Sequence, residues 1–252
     1  MQATNTPAVD ARYWAGMLSA SLLGTTLGDF LSISLGLGYV RGLPLMMGLL
    51  GAVLLAERRF KLVSQSYYWA AVVITRTAAT NLADLGTHEL KLGYVWVAGC
   101  LVGLLVATVV IRMRRRPQTQ PHAQVPGVRL GDLPATGLTY WLGMLIASVL
   151  GTTLGDFTSD GLHWKLGNTS LVLAVVLVFA LYARRRAGIT HEAYYWAAIV
   201  LVRTTGTTAG DFLSEDDGLN LGFGVAAGCA ALLMVAVLVG LRRRVSPARA
   251  SA

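Results

Sequence analysis

The sequence is poor in charged residues, cysteine and histidine. Charged residues make up 13% of its 252 positions, about half the ~25% typical of soluble proteins. Hydrophobic residues make up 54%, so the chain has too little polar surface to coat a soluble globule. Two cysteines, Cys100 and Cys229, exclude a disulfide framework and a cysteine zinc site. The composition therefore indicates a membrane protein.

Sequence motifs of secretion and hydrolysis are also missing. Residues 1–12 are polar and no small-residue cleavage site follows the first apolar run, so we expect no signal peptide. Neither an HExxH nor a GxSxG motif occurs, and the histidines fall at unmatched positions. We therefore expect that the protein is not an enzyme.

A fourfold repeat organises the chain. Tyr-Trp pairs recur at residues 13, 68, 140 and 195, and an aspartate lies fifteen residues after each tryptophan. Residues 13–30 and 140–157 are identical at 15 of 18 positions, whereas the second and fourth repeats share an Arg-Thr variant. The chain is therefore a duplicated two-repeat unit. Its predicted parts are a first half (1–116), a cytoplasmic linker (117–134) and a second half (135–252).

Each repeat contains two apolar stretches, and most approach the ~20 residues that cross a bilayer as a helix. They cover residues 13–33, 38–56, 67–87, 92–111, 139–159, 168–183, 194–213 and 221–241. The predicted fold is an all-α polytopic bundle of about eight transmembrane helices, with two duplicated halves in parallel pseudo-symmetry.

The basic residues are distributed asymmetrically along this pattern. Of the 21 lysines and arginines, 16 lie in the termini or follow every second span. The positive-inside rule then places both termini and the linker in the cytoplasm. Because these residues flank helices, the net charge of +8 does not indicate nucleic-acid binding. The Tyr-Trp pairs fall on the same side, where we expect an interfacial aromatic belt.

A polar stripe follows each Tyr-Trp pair. At seven, eleven, fifteen and eighteen residues after the tryptophan, the positions share one helix face and cannot face lipid. In order, they are Ser21, Arg76, Ser148 and Arg203; Thr25, Thr80, Thr152 and Thr207; Asp29, Asp84, Asp156 and Asp211; and Ser32, Thr87, Ser159 and Ser214. We expect the two arginines to engage aspartates or helix carbonyls of other repeats.

Small residues flank this stripe at ten and fourteen positions after each tryptophan. They are Gly24 and Gly28, Ala79 and Ala83, Gly151 and Gly155, and Gly206 and Gly210. Such spacing lets helix backbones approach closely, so we assign these residues to packing. Whether the motif helices break at the Gly-Asp step stays open.

The Trp…Gly-Thr-Thr-x-Gly-Asp-Phe pattern resembles a bacterial family of integral membrane proteins built from four tandem two-helix repeats of unknown function. The motif is complete in the first and third repeats and nearly so in the fourth. The second repeat departs from it, with Ala-Thr-Asn-Leu-Ala-Asp-Leu at residues 79–85. The resemblance implies the fold and a location in the bacterial inner membrane, and the departure implies that the four sites are unequal.

The stripe predicts a transporter or channel for a small cation, because intramembrane ionisable groups mark ion or proton pathways. The aspartates, threonines and two arginines form the expected substrate site, with Asp29 and Asp156 as metal ligands, since oxygen donors suit hard ions. One alternative is a small anion held by Arg76 and Arg203. Another is a structural or partner-binding protein whose Asp/Arg network only holds the bundle together. The expected partners are the lipid bilayer and a small ion or small-molecule substrate, without nucleic acid, and the residues do not identify a cofactor.

The charge asymmetry yields a test of topology. In a variant without Cys100 and Cys229, a cysteine at Gln120 lies in the predicted cytoplasmic linker. We expect membrane-impermeant reagents to label it only after the cells are lysed. Labelling in intact cells would contradict the assigned orientation.

Overall fold

The computed structural model describes residues 7, 9–60, 65–115, 137–189 and 191–243. Within these ranges the chain forms eight long α-helices and no strands, which confirms the predicted fold class. The helices are α1 (Ala11–Asp29), α2 (Gly38–Phe60), α3 (Gln65–Asp84), α4 (Tyr94–Arg115), α5 (Leu138–Asp156), α6 (Leu166–Ala187), α7 (Glu192–Ser214) and α8 (Phe223–Arg243). The predicted linker, residues 117–134, lies outside the described residues.

The first helix of each repeat lies at the centre of the bundle. These inner helices pack as a closed ring in the order α1, α3, α5, α7. The peripheral helices pack outside them, with α2 against α3, α4 against α5, α6 against α7 and α8 against α1. Each peripheral helix therefore covers the inner helix of the next repeat, and α8 closes the ring on α1.

Burial separates the two sets of helices. The polar stripe is buried between the inner helices, whereas Val95, Phe179 and Leu232 on the peripheral helices are each about 70% exposed. Four segments are long and apolar enough to cross a membrane: Tyr94–Arg114, Leu138–Gly161, Leu166–Ala187 and Phe223–Gly240. The inner helices α1, α3 and α7 are not among these four, and α2 is apolar over its described segment Gly38–Val53.

Glycine sets the spacing of the inner helices. A methyl group on Gly24 would lie 2.3 Å from the Cγ atom of Arg76, and one on Gly151 would lie 2.3 Å from the Cβ atom of Arg203. Gly206 abuts Ser21 of α1 in the same way, with its added methyl 2.3 Å from the Ser21 hydroxyl. The small residues thus hold neighbouring inner helices in contact, which is the packing role that the sequence predicts.

This contact predicts that Gly151→Ala destabilises the protein by about 1–3 kcal/mol, because the added methyl meets a side-chain root and backbone that cannot move freely. Gly103→Ala in α4 is the matched control, since no heavy atom lies within 4 Å of its added methyl. The control should be neutral or slightly stabilising, because alanine favours helix. Thermal unfolding in detergent measures both, and equal melting temperatures would contradict the close contact.

Candidate functional site

The axis of the inner ring is lined by layers of side chains, one from each inner helix. Going along each helix in steps of four residues, the layers hold tyrosine, a large apolar residue, serine or arginine, threonine and aspartate. Because the tyrosines meet at one end and the aspartates at the other, the four inner helices run parallel.

The aspartates open onto one cavity of about 210 Å³. All four predicted aspartates and all four predicted threonines line it. We call it the acidic cavity. The remaining residues around it are Ile33, Tyr39, His88, Ser159, Asp160 and Glu215. The structure therefore brings together both predicted layers and adds a further one at the mouth.

Residues at the mouth include several that the stripe did not predict. Asp160 and Glu215 lie nineteen residues after their tryptophans, one helical turn beyond the aspartates, and Tyr39 comes from α2. Of the predicted hydroxyls at eighteen residues, Ser159 lines the cavity. All four hydroxyls at this position donate hydrogen bonds to nearby carbonyls of their own repeat, and they belong to Ser32, Thr87, Ser159 and Ser214. Extending the stripe by four residues beyond the aspartates, to nineteen positions after each tryptophan, would have predicted the residues at the mouth.

The backbone changes directly after the aspartates. In three repeats the helix continues as a five-residue π-helix, at Phe30–Ser34, Leu85–Glu89 and Phe157–Gly161. In the fourth repeat α7 stays α-helical through Ser214. The motif helices thus widen at the Gly-Asp step without breaking. Single-turn π segments are frequent at functional sites.

The four threonines form the floor of the cavity, and their hydroxyls hold the guanidinium of Arg76. Its Nε donates to Ser21 at 3.2 Å, Nη1 donates to Thr80 and Thr152, and Nη2 donates to Thr25 and Thr207. Arginine has five N–H donors, and all five are used here. The four threonine hydroxyls, which we call the threonine ring, therefore surround one buried cation.

The threonines also donate to their own helices. Each ring hydroxyl donates a hydrogen bond to the carbonyl four residues earlier. Because each hydrogen is used and Arg76 has no N–H left, the floor offers only oxygen lone pairs to the cavity. The expectation that Arg76 engages aspartates or carbonyls is wrong for this arginine: hydroxyls one turn below the aspartates are its partners.

Arg203 occupies the equivalent position on α7 but points away from the threonine ring. Its Nη2 lies 3.4 Å from the sulfur of Met144 and 3.7 Å from that of Met17. Its Nε and Nη1 have no hydrogen-bond partner among the described residues, although the side chain is fully buried. The predicted pairing with an aspartate or carbonyl is therefore wrong for Arg203 as well.

The carboxylates of the cavity have few partners. The Oδ2 atom of Asp156 is buried and has no hydrogen-bond partner within the described residues. His88 Nδ1 lies 3.9 Å from Asp84 Oδ1. At the mouth, burial raises the pKa of Glu215 above its ordinary value, and the carboxylates of Asp160 and Asp217 raise it further. In the part of the chain that the structure describes, no three His, Cys, Asp or Glu side chains converge on one metal position.

The tyrosines of the four Tyr-Trp pairs close the other end of the axis. The hydroxyls of Tyr13, Tyr68, Tyr140 and Tyr195 form a closed ring with O···O distances of 2.7–2.9 Å. We call this the tyrosine ring. All four side chains are at most 3% exposed, and the Trp14, Trp69 and Trp196 side chains are buried beside them. The predicted aromatic belt is therefore wrong, because these side chains pair with one another inside the bundle.

The fold and site together define an all-α repeat bundle with apolar peripheral helices and a polar axis, as expected of a membrane protein. The chain belongs to the family described as "Repeat of Unknown Function (DUF347)", which matches residues 12–62, 67–118, 139–190 and 194–245. These four matches confirm the repeat family that the motif resembles. No curated protein and no solved structure matches the chain.

The tyrosine ring predicts that Tyr13→Phe destabilises the protein. Removing one hydroxyl opens the ring and leaves a buried donor or acceptor unpaired, which costs about 1–2 kcal/mol. Tyr182→Phe is the matched control, because Tyr182 is 54% exposed on α6. We expect a lower melting temperature in detergent for Tyr13→Phe only. Equal melting temperatures would show that the ring contributes no stability.

Proposed function

We propose that the protein transports a small cation and that the acidic cavity is its substrate site. The observation that carries this proposal is the chemistry of the lining. Four aspartates, one from each repeat, line the cavity. The threonine floor below them presents no free O–H or N–H donor, because the hydroxyls donate to helix carbonyls and Arg76 donates to the hydroxyls. Lone pairs and carboxylates attract cations and hydrogen-bond donors and repel anions.

The balance of charge supports the same conclusion. Six carboxylates surround the cavity, those of the four aspartates together with Asp160 and Glu215. Below them, Arg76 supplies one positive charge. Like charges crowded away from bulk water do not all stay ionised unless cations or protons neutralise them. A site built in this way gains free energy when a cation enters.

The shape of the cavity favours a hydrated ion or a small ammonium-type cation. Its 210 Å³ has room for about seven waters at ~30 Å³ each. Because no three carboxylates converge on one point within the described residues, the ion is held through its water shell, as Mg²⁺ prefers. We assign the main role to Asp29 and Asp156, whose repeats carry serine at the position of the arginines.

A transporter fits better than an open channel. Below the cavity the axis is filled by Arg76 in the threonine ring, by Arg203 and by the tyrosine ring. A cation that enters from the aspartate end therefore meets two positive charges and a closed ring of hydroxyls. Passage requires a change of conformation, as in carriers that expose one site alternately to each side.

The location follows from charge placement. We place the protein in the bacterial inner membrane with the tyrosine ring toward the cytoplasm. The support for this is the 16 basic residues of 21 that flank that end. The acidic cavity then opens outward, where Asp160 and Glu215 at its mouth add further negative charge.

Two other functions remain as alternatives with less support. Transport of an anion needs free N–H donors at the cavity. Arg76 has none to offer, and Arg203, whose Nε and Nη1 lack partners among the described residues, lies against Met17 and Met144 and does not line the cavity. A purely structural network is favoured by the hydrogen bonds that Arg76 makes to four helices. It does not account for Asp156, whose Oδ2 lacks a partner among the described residues.

Flux in proteoliposomes tests the proposal. Asp29→Asn and Asp156→Asn should reduce uptake of Mg²⁺, Mn²⁺, Ca²⁺ or H⁺ to the level of empty liposomes, because asparagine keeps the volume but removes the charge. Asp216→Asn is the matched control, since Asp216 is exposed and does not line the cavity. The flux of Asp216→Asn should equal that of the unmodified protein. All three variants should have melting temperatures close to that of the unmodified protein.

Two results would contradict the proposal. One is unmodified protein whose flux equals that of empty liposomes for all four ions. The other is a large fall in melting temperature for both aspartate variants with flux retained per folded molecule, which is what the structural network predicts.

A further inference from the structure

Arg76 and Arg203 are equivalent in sequence but not in environment. They lie 127 residues apart, on the inner helices α3 and α7, which face each other across the ring. Arg76 has all five N–H groups bonded, whereas Arg203 has Nε and Nη1 without partners among the described residues. A second guanidinium at the level of the threonine ring would place two positive charges side by side. The threonine ring therefore holds one guanidinium, that of Arg76, and the guanidinium of Arg203 lies outside it.

The partners of Arg76 map onto an equivalent set when the two halves are exchanged. Adding or subtracting 127 converts Thr25 to Thr152 and Thr80 to Thr207, so the threonine ring maps onto itself. Ser21, the partner of Nε, becomes Ser148. Arg203 in the ring would therefore find an equivalent set of five acceptors, the four threonine hydroxyls and Ser148 in place of Ser21.

The partners of Arg203 map onto themselves as well. Met17 and Met144 are also 127 residues apart, and both sulfurs contact the Arg203 guanidinium. The glycines that contact the two arginines are related in the same way: Gly24 lies beside Arg76, and Gly151, 127 residues later, lies beside Arg203. Arg76 would therefore find the same methionine pocket if it left the ring.

We infer that the threonine ring is a binding site for one guanidinium-type cation with two alternative tethered occupants, Arg76 and Arg203, which exchange between the ring and the methionine pocket. Since the two arrangements have matching partners, neither is strongly favoured, as is required of a two-state element. Exchange vacates the ring in passing. Its four threonine oxygens then become available to a cation from the acidic cavity.

This inference does not depend on transport, so its test uses structure and stability. Arg76→Met and Arg203→Met each leave one arginine, and methionine is a flexible apolar side chain that fills irregular space. In crystals of Arg76→Met, we expect Arg203 in the threonine ring with its Nε donating to Ser148. Both variants should fold and melt within a few degrees of each other.

The double variant R76A/R203A tests the ring as a binding site. It lacks both occupants, so millimolar guanidinium chloride should raise its melting temperature, whereas sodium chloride at equal concentration should not. The unmodified protein, whose ring is filled, is the control and should not respond. Absence of a guanidinium-specific rise in a folded double variant would overturn the ring as a binding site.

Other outcomes would overturn the exchange. If Arg203 stays against Met17 and Met144 in the Arg76→Met crystals, the two arginines are not alternatives. If Arg76→Met melts far below Arg203→Met, or fails to fold, the ring depends on Arg76 alone, since exchange would have supplied Arg203 in its place. Failure of both single variants to fold would likewise overturn it.

Discussion

The bundle depends on one guanidinium that is shared by four helices. Arg76 extends from α3, and its hydrogen bonds reach hydroxyls on all four inner helices. Away from water, an unpaired charge would cost several kcal/mol, so these bonds fix how far apart the helices lie and how they are rotated. The glycines that face Arg76 and Arg203 make the required approach possible. The aspartates are positioned one turn above as a result.

The features that recur at the same position in every repeat could be predicted from the sequence. The recurrence of Tyr-Trp and of an aspartate fifteen residues later predicted eight helices, one buried stripe and a common layer of aspartates, because helical periodicity converts spacing into faces. Small residues at fixed offsets predicted close packing for the same reason. These features depend on each helix separately or on neighbours that share the same pattern.

Features that depend on the assembled ring escaped prediction. A tyrosine beside a tryptophan is typical of a membrane interface, and nothing in one repeat shows that four such hydroxyls will meet. Threonine and aspartate side chains both accept hydrogen bonds, and they lie one helical turn apart in every repeat. Which of the two layers Arg76 reaches depends on the distance across the inner ring. Likewise, Arg76 and Arg203 are interchangeable in sequence, and the limit of one guanidinium per ring exists only in three dimensions.

The way in which α8 packs against α1 has a consequence for biogenesis. Of the eight described helices, α1 is synthesised first, and α8, the peripheral helix that shields it, is synthesised last. Until then, one flank of α1 is without its partner, and the ring stays open between the first and fourth repeats. Neither half contains the peripheral helix that covers its own first helix, since α8 covers α1 and α4 covers α5. The inner ring and its outer layer can therefore close only when both halves are present.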